Sequence, residues 1–132
     1  MSEPRLTKIL YVEDDADIAE MTMMTLEHFG GFTVTHCKNG REALSSYPEL
    51  APQLILMDVM MPGMDGTETY SRLKANTSAP LAPIIFMTAK AQVHEQAAYI
   101  NLGAIGVIVK PFDPVTLSDE ILELWQNSIE TV

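Results

Sequence analysis

Leu54-Ile55-Leu56-Met57-Asp58, running straight into Val59-Met60-Met61-Pro62-Gly63-Met64-Asp65-Gly66, decides the fold. An unbroken apolar run bounded by turn residues reads as a strand buried on both faces, the kind found in parallel sheets. The run ends in a single carboxylate, which puts Asp58 at the carboxyl end of its strand. Open α/β sheets bind their ligands at that edge. An unpaired carboxylate buried there is costly or shifts its pKa. Asp58 therefore either caps the loop that follows or does chemistry.

Outward from this strand, apolar runs alternate with amphipathic segments in both directions. Strands are expected at 6–12, 32–36, 53–57, 84–87 and 105–109, and helices at 15–29, 41–50, 67–75, 92–102 and 114–129. In the first helix Ile18, Met21 and Phe29 fall on one stripe with Leu26 beside them, and Gly30-Gly31 closes it. Asn39-Gly40 and Pro48 punctuate the second helix, while Ser78, Pro80 and Pro83 mark a loop. Asp15 and Asp65 cap the first and third helices. Asp113-Pro114 reads as an N-cap followed by Pro at the first helical position of the last one. Such alternation gives a parallel sheet with right-handed crossovers and helices on both faces. With no linker, repeat or low-complexity tract, the whole of 1–132 is expected to form one domain.

Bulk composition narrows the partners. With 132 residues, 47% hydrophobic and 20% charged, the chain has an ordinary globular balance and enough length for one core. A net charge of -10 with only eight Lys and Arg argues against direct contact with DNA or anionic lipid, which needs clustered cations. The single cysteine, Cys37, reads as a small apolar filler in a reducing compartment. No apolar run is long enough to span a membrane and none resembles a signal peptide. A cytoplasmic location is the expectation.

Four distant points converge on one edge of the expected sheet. The first strand ends in Glu13-Asp14-Asp15, the third in Asp58, the fourth in Thr88-Ala89 and the fifth in Lys110-Pro111. Two carboxylates about 4 Å apart repel by roughly 4 kcal/mol at an effective dielectric near 20. Glu13, Asp14 and Asp58 together need more positive charge than Lys110 supplies. A divalent metal would balance them, and an all-oxygen, water-containing site favours Mg²⁺ over Ca²⁺. Asp58 then reads as a nucleophile toward phosphorus. Lys110 and the Thr88 hydroxyl would complete charge neutralisation around a transferring phosphoryl group.

These residues carry a family likeness. Ile9-Leu-Tyr-Val-Glu-Asp14, Leu56-Met-Asp58-Val-Met-Met-Pro-Gly-Met-Asp-Gly66, Phe86-Met-Thr88-Ala and Val109-Lys110-Pro-Phe112 together resemble the receiver domain of two-component response regulators, of the single-domain chemotaxis type. The resemblance covers essentially the whole chain. It implies a flavodoxin-like doubly wound sheet of five parallel strands, in order 2-1-3-4-5, flanked by five helices. It also implies that a phosphohistidine on a sensor histidine kinase or phosphotransfer protein donates to Asp58. By the same likeness Asp14 ligates Mg²⁺ directly and Glu13 through water, with Met60 contributing its backbone carbonyl. Thr88 and Lys110 match the switch residues, and the Lys110-Pro111 bond is expected to be cis. The downstream target is expected to bind the surface of the fourth helix, fifth strand and fifth helix. Two departures stand out. Val107 occupies a position where the family often has Tyr or Phe, and Met60 and Lys90 flank the acceptor on its loops, where access of hydrolytic water is tuned.

Competing readings remain open on the residues alone. Met57, Met60, Met61 and Met64 are soft donors and suit packing better than a hard cation. His28, His36 and His94 share no ligand spacing. In the last helix Leu117, Ile121 and Leu124 form the core stripe. Leu122, Trp125 and Ile129 form a second stripe that reads either as a widened core contact or as a docking and homodimer surface. Because the chain ends just after that helix, the signal is expected to pass by binding, unless the sequence is a piece excised from a larger protein. One rival function is a Mg²⁺-dependent phosphatase or phosphotransferase acting through Asp58, although Met60 stands where such enzymes carry a second acid. Another is an FMN binder, for which Glu13-Asp14-Asp15 would repel phosphate.

Overall fold

Every residue of the central strand β3 (Leu54–Asp58) is buried, and so is every residue of its neighbour β4 (Ile84–Thr88). That is the burial an apolar run earns when helices cover both faces of its sheet. The computed structural model describes residues 5–77, 80–90 and 92–130; Ser78, singled out above as a loop residue, lies outside them. The remaining strands are β1 (Lys8–Val12), β2 (Thr33–Cys37) and β5 (Gly106–Val109). They alternate with α1 (Ala16–Gly30), α2 (Gly40–Leu50), α3 (Gly66–Asn76), α4 (Val93–Leu102) and α5 (Leu117–Glu130). All neighbouring strands pair in parallel in the order β2-β1-β3-β4-β5. The edge strands β2 and β5 are less completely buried, as one open side allows.

The sheet separates two apolar layers. On one face Ile9, Tyr11, Leu56, Ile85, Met87 and Ile108 pack against Leu26 of α1 and Leu117, Ile121 and Trp125 of α5. On the other, Leu10, Val12, Ile55, Met57, Ile84 and Phe86 meet Ala43 of α2, Tyr70 and Leu73 of α3, and Tyr99 of α4. Alternation along each strand assigns its side chains to these layers in turn.

Two sequence readings need correction. The buried face of α1 is Ala19, Thr22, Thr25 and Leu26, whereas Met21, Met24 and Phe29 are exposed. Small side chains let α1 approach the sheet, and Thr22 satisfies its hydroxyl by donating to the Ile18 carbonyl at 2.8 Å. Gly31 does close the helix, at φ 67, with its N–H reaching the carbonyls of Leu26 and Glu27. The last helix starts at Leu117 rather than at Pro114. Asp113 caps a preceding turn instead, accepting from the Val115 N–H at 2.9 Å. Of the two readings of the second stripe in α5, Trp125 takes the widened core contact: it is 4% exposed and its Nε1 donates to the Gln53 carbonyl at 3.2 Å. Of that second stripe Leu122 is half-buried and only Ile129 is exposed.

Gln53 also closes the amino edge of the sheet. Its Oε1 accepts from the Thr7 N–H at 2.7 Å, the Thr7 hydroxyl at 2.9 Å and the Lys8 N–H at 2.9 Å. Its Nε2 donates to the Arg5 carbonyl at 2.7 Å. Among the described residues no helix is long and apolar enough to cross a membrane.

Candidate functional site

Strand register builds the site. Val12 pairs with Met57, Asp58 with Met87, and Thr88 with Val109. Each strand therefore runs out at the same edge, delivering Glu13 and Asp14 beside Asp58, then Thr88, then Lys110. The loop after Asp58 is held close. The Val59 N–H donates to the Met87 carbonyl at 3.0 Å and the Gly66 N–H to the Val59 carbonyl at 2.9 Å. A Cβ on Gly66 would fall 2.3 Å from the Asp58 carbonyl oxygen, so only glycine lets α3 begin there. Asp65 caps that helix from the Glu68 N–H, and Asp15 caps α1 from the N–H groups of Asp17 and Ile18.

One cation serves two buried acids. Lys110 Nζ lies 2.8 Å from Glu13 Oε1 and 2.9 Å from Asp58 Oδ1. Glu13 is 1% exposed and Asp58 4%, while Asp14 is open to solvent. Carboxylate oxygens of Glu13, Asp14 and Asp58 can be chosen that all lie within 4.8 Å of one another. Three acids against one ammonium, on hard oxygen donors, are a donor set that fits Mg²⁺. Thr88 is buried and its Oγ1 accepts from the Lys90 N–H at 3.1 Å. Met60, two residues after Asp58, exposes its side chain. The Lys110–Pro111 peptide is cis. Lys90 extends outward toward Glu95, 4.0 Å away.

The electrostatics follow from burial first. Desolvation by burial, opposed by Lys110 and reinforced by Glu13, leaves the Asp58 carboxyl raised from 3.8 to about 6. Burial works against the Lys110 ammonium, yet its hydrogen bonds to Glu13 and Asp58 and their charges raise its pKa above 10.5. A carboxyl raised in the folded state binds more protons there than when unfolded. The metal-free protein should therefore lose stability as pH rises from about 4 to 6. Replacing Asp58 by Asn removes that liability, which is on the order of 2–3 kcal/mol. In EDTA the expected result is a higher melting midpoint for Asp58→Asn than for wild type at pH 7, with the gap closing toward pH 4. A gap that is absent, or constant across pH, would contradict this account of the site.

Two residues beside the acids escaped the sequence reading. Tyr11 places its hydroxyl 3.4 Å from Glu13 Oε1, and His36 Nε2 lies 2.8 Å from the Glu13 carbonyl. The usable signal was strand alternation, since residues 11 and 13 must share a face.

Comparison with known proteins now fixes the class. Residues 9–122 match the family described as the response regulator receiver domain. The DNA-binding response regulator MtrA of Mycobacterium tuberculosis is 37% identical over 110 residues, covering 83% of this chain and 46% of MtrA. Regulatory protein AtoC of Escherichia coli is 35% identical over 126 residues, 95% of this chain and 26% of AtoC. The chain thus spans about half or less of the curated relatives it matches. Among solved structures, the chemotaxis response regulator CheY4 of Vibrio cholerae superposes with a TM-score of 0.81 at 30% identity, covering 91% of this chain and 99% of CheY4. The chain belongs to the response regulator receiver family, a class of signalling switches in phosphorelays.

Proposed function

We propose that this receiver accepts a phosphoryl group on Asp58 from a phosphohistidine carried by a sensor histidine kinase or a phosphotransfer protein. The single observation behind the assignment is a nearly buried carboxylate at a strand end, bonded to Lys110 and set against a second buried acid. An Asp58 oxygen attacks phosphorus, the phosphorus–nitrogen bond of the donor breaks, and an aspartyl phosphate forms. Glu13, Asp14, Asp58 and the Met60 backbone carbonyl would hold Mg²⁺. Bound there, the ion would neutralise the acids and the charge on the transferring group. Lys110 contributes its ammonium to the phosphoryl oxygens and Thr88 its hydroxyl.

The protein's only catalysis on this reading is its own phosphorylation and dephosphorylation, and its product is a changed surface. Thr88 is drawn toward the phosphoryl group, and the loop from β4 to α4 follows. Val93 and Ile100, seven residues apart on α4, stand exposed on one face and would supply the apolar part of a target-binding surface with β5 and α5. Phe86 and Tyr99 lie 5.4 Å apart between rings, so an aromatic contact links β4 to α4 although position 107 is valine. At the other flank, the exposed Met21 and Met24 of α1 lie on the helix that begins beside the acids and suit an approaching donor protein. Burial pushes the Cys37 thiol up, which suits an unreactive thiol.

The test is direct. Incubation with acetyl phosphate and Mg²⁺ should add the mass of one phosphoryl group to wild type, and none to Asp58→Asn or in the presence of EDTA. Equal labelling of wild type and Asp58→Asn would overturn the assignment. Multiple turnover of small phosphomonoesters would instead support the phosphatase reading.

A further inference from the structure

Tyr11 is fully buried in β1, yet it reaches the acid pocket. Its hydroxyl meets Glu13 Oε1, the same oxygen that Lys110 Nζ holds at 2.8 Å. The His36 imidazole on β2 lies 5.7 Å from its ring at 38°.

Glu13 has few other partners. Among the described residues its carboxylate is met by Lys110, by Tyr11 and by the Asp15 N–H at 3.3 Å. Lys110 is shared with Asp58, the proposed acceptor. A phosphoryl group on Asp58 would compete for that ammonium and leave a buried carboxylate short of its main donor, a costly arrangement unless another replaces it. An aspartate at position 13, shorter by one methylene, would reach less far toward the phenol.

We propose that Tyr11 is a positioning residue: its phenol holds the Glu13 carboxylate in place for Mg²⁺ and keeps hold of it when Lys110 is drawn to the phosphoryl group. The proposal rests on the phosphoacceptor reading of Asp58. It concerns the hydroxyl alone, since Phe would preserve the ring packing.

Calorimetric titration with Mg²⁺ of wild type, Tyr11→Phe, Glu13→Asp and the double variant tests it, with thermal melts of all four in EDTA. Tyr11→Phe should weaken Mg²⁺ about three- to tenfold, the scale of one ordinary hydrogen bond. In the Glu13→Asp background the same change should have little further effect, because additivity fails where one residue acts through another. If wild type itself takes up no Mg²⁺, the reading of the site fails. If wild type binds and Tyr11→Phe binds equally well, the Tyr11 proposal alone fails. A loss that persists undiminished beside Glu13→Asp would assign the effect to packing and also overturn it. A further readout needs no variant. The Tyr11 hydroxyl proton of wild type should give a protected NMR resonance that moves on adding beryllofluoride with Mg²⁺, and a rapidly exchanging or unmoved proton would contradict the proposal.

Discussion

Lys110→Ala should lower the stability of the metal-free protein by about 3–5 kcal/mol at pH 7, the cost of removing one partner from a buried ion pair. The ammonium is the shared counter-charge of Glu13 and Asp58, at 2.8 and 2.9 Å. Without it two buried carboxylates face each other. The loss should shrink as pH falls below about 6, where the Asp58 carboxyl becomes protonated. Saturating Mg²⁺ should recover much of it by supplying positive charge to the same oxygens. Urea unfolding in EDTA at pH 7 and pH 5, then with Mg²⁺, reads all three effects. Equal midpoints for wild type and variant at pH 7 would mean that the shared ammonium contributes nothing. Lys110→Ala and Asp58→Asn should thus move stability in opposite directions, because one deletes the scarce charge and the other an excess one.

Trp125→Ala should cost about 3–5 kcal/mol as well, through a cavity rather than a charge. The indole is 4% exposed in the layer formed with Leu117 and Ile121, and its N–H is spent on the Gln53 carbonyl. Removing it empties the largest side chain from that layer and strands a carbonyl. A fall in melting midpoint of more than about 10 °C is expected, independent of protein concentration. A midpoint within a few degrees of wild type would restore the tryptophan to the surface. The residues alone leave both readings open, since a helix with apolar residues on two adjoining stripes looks the same whether the second meets solvent or the N-terminal end of a neighbouring strand.

Strands were legible because the sheet is covered on both sides, so Leu54 to Met57 and Ile84 to Met87 must be apolar throughout. Helix faces were less so. On α1 the apolar stripe of Ile18, Met21 and Phe29 points to the wrong face, because close packing against the sheet favours Ala19 and Thr22 and leaves Met21 and Phe29 outward. The start of α5 differs because Asp113-Pro114 opens a turn over 114–116 that leads into the helix only at Leu117.

The acids and Lys110 could be located from sequence because each ends a strand, and parallel strands end on one edge. What could not be seen was how one ammonium is divided. The contact at 2.8 Å to Glu13 is as short as that to Asp58, and only coordinates show the sharing. Tyr11 was hidden for a different reason. A tyrosine inside an apolar strand looks like core, and here it is core with its hydroxyl turned toward Glu13.

The two ends of the sheet are fastened by different chemistry. Gln53 ties Arg5, Thr7, Lys8 and Trp125 together with neutral hydrogen bonds. The opposite end is held by Glu13, Asp58 and Lys110 through charge. Acidity and divalent ions act strongly on the second kind of fastening and weakly on the first. The molecule therefore has a clamped end and a tunable end, and a change in its ionic surroundings can reset one without loosening the other.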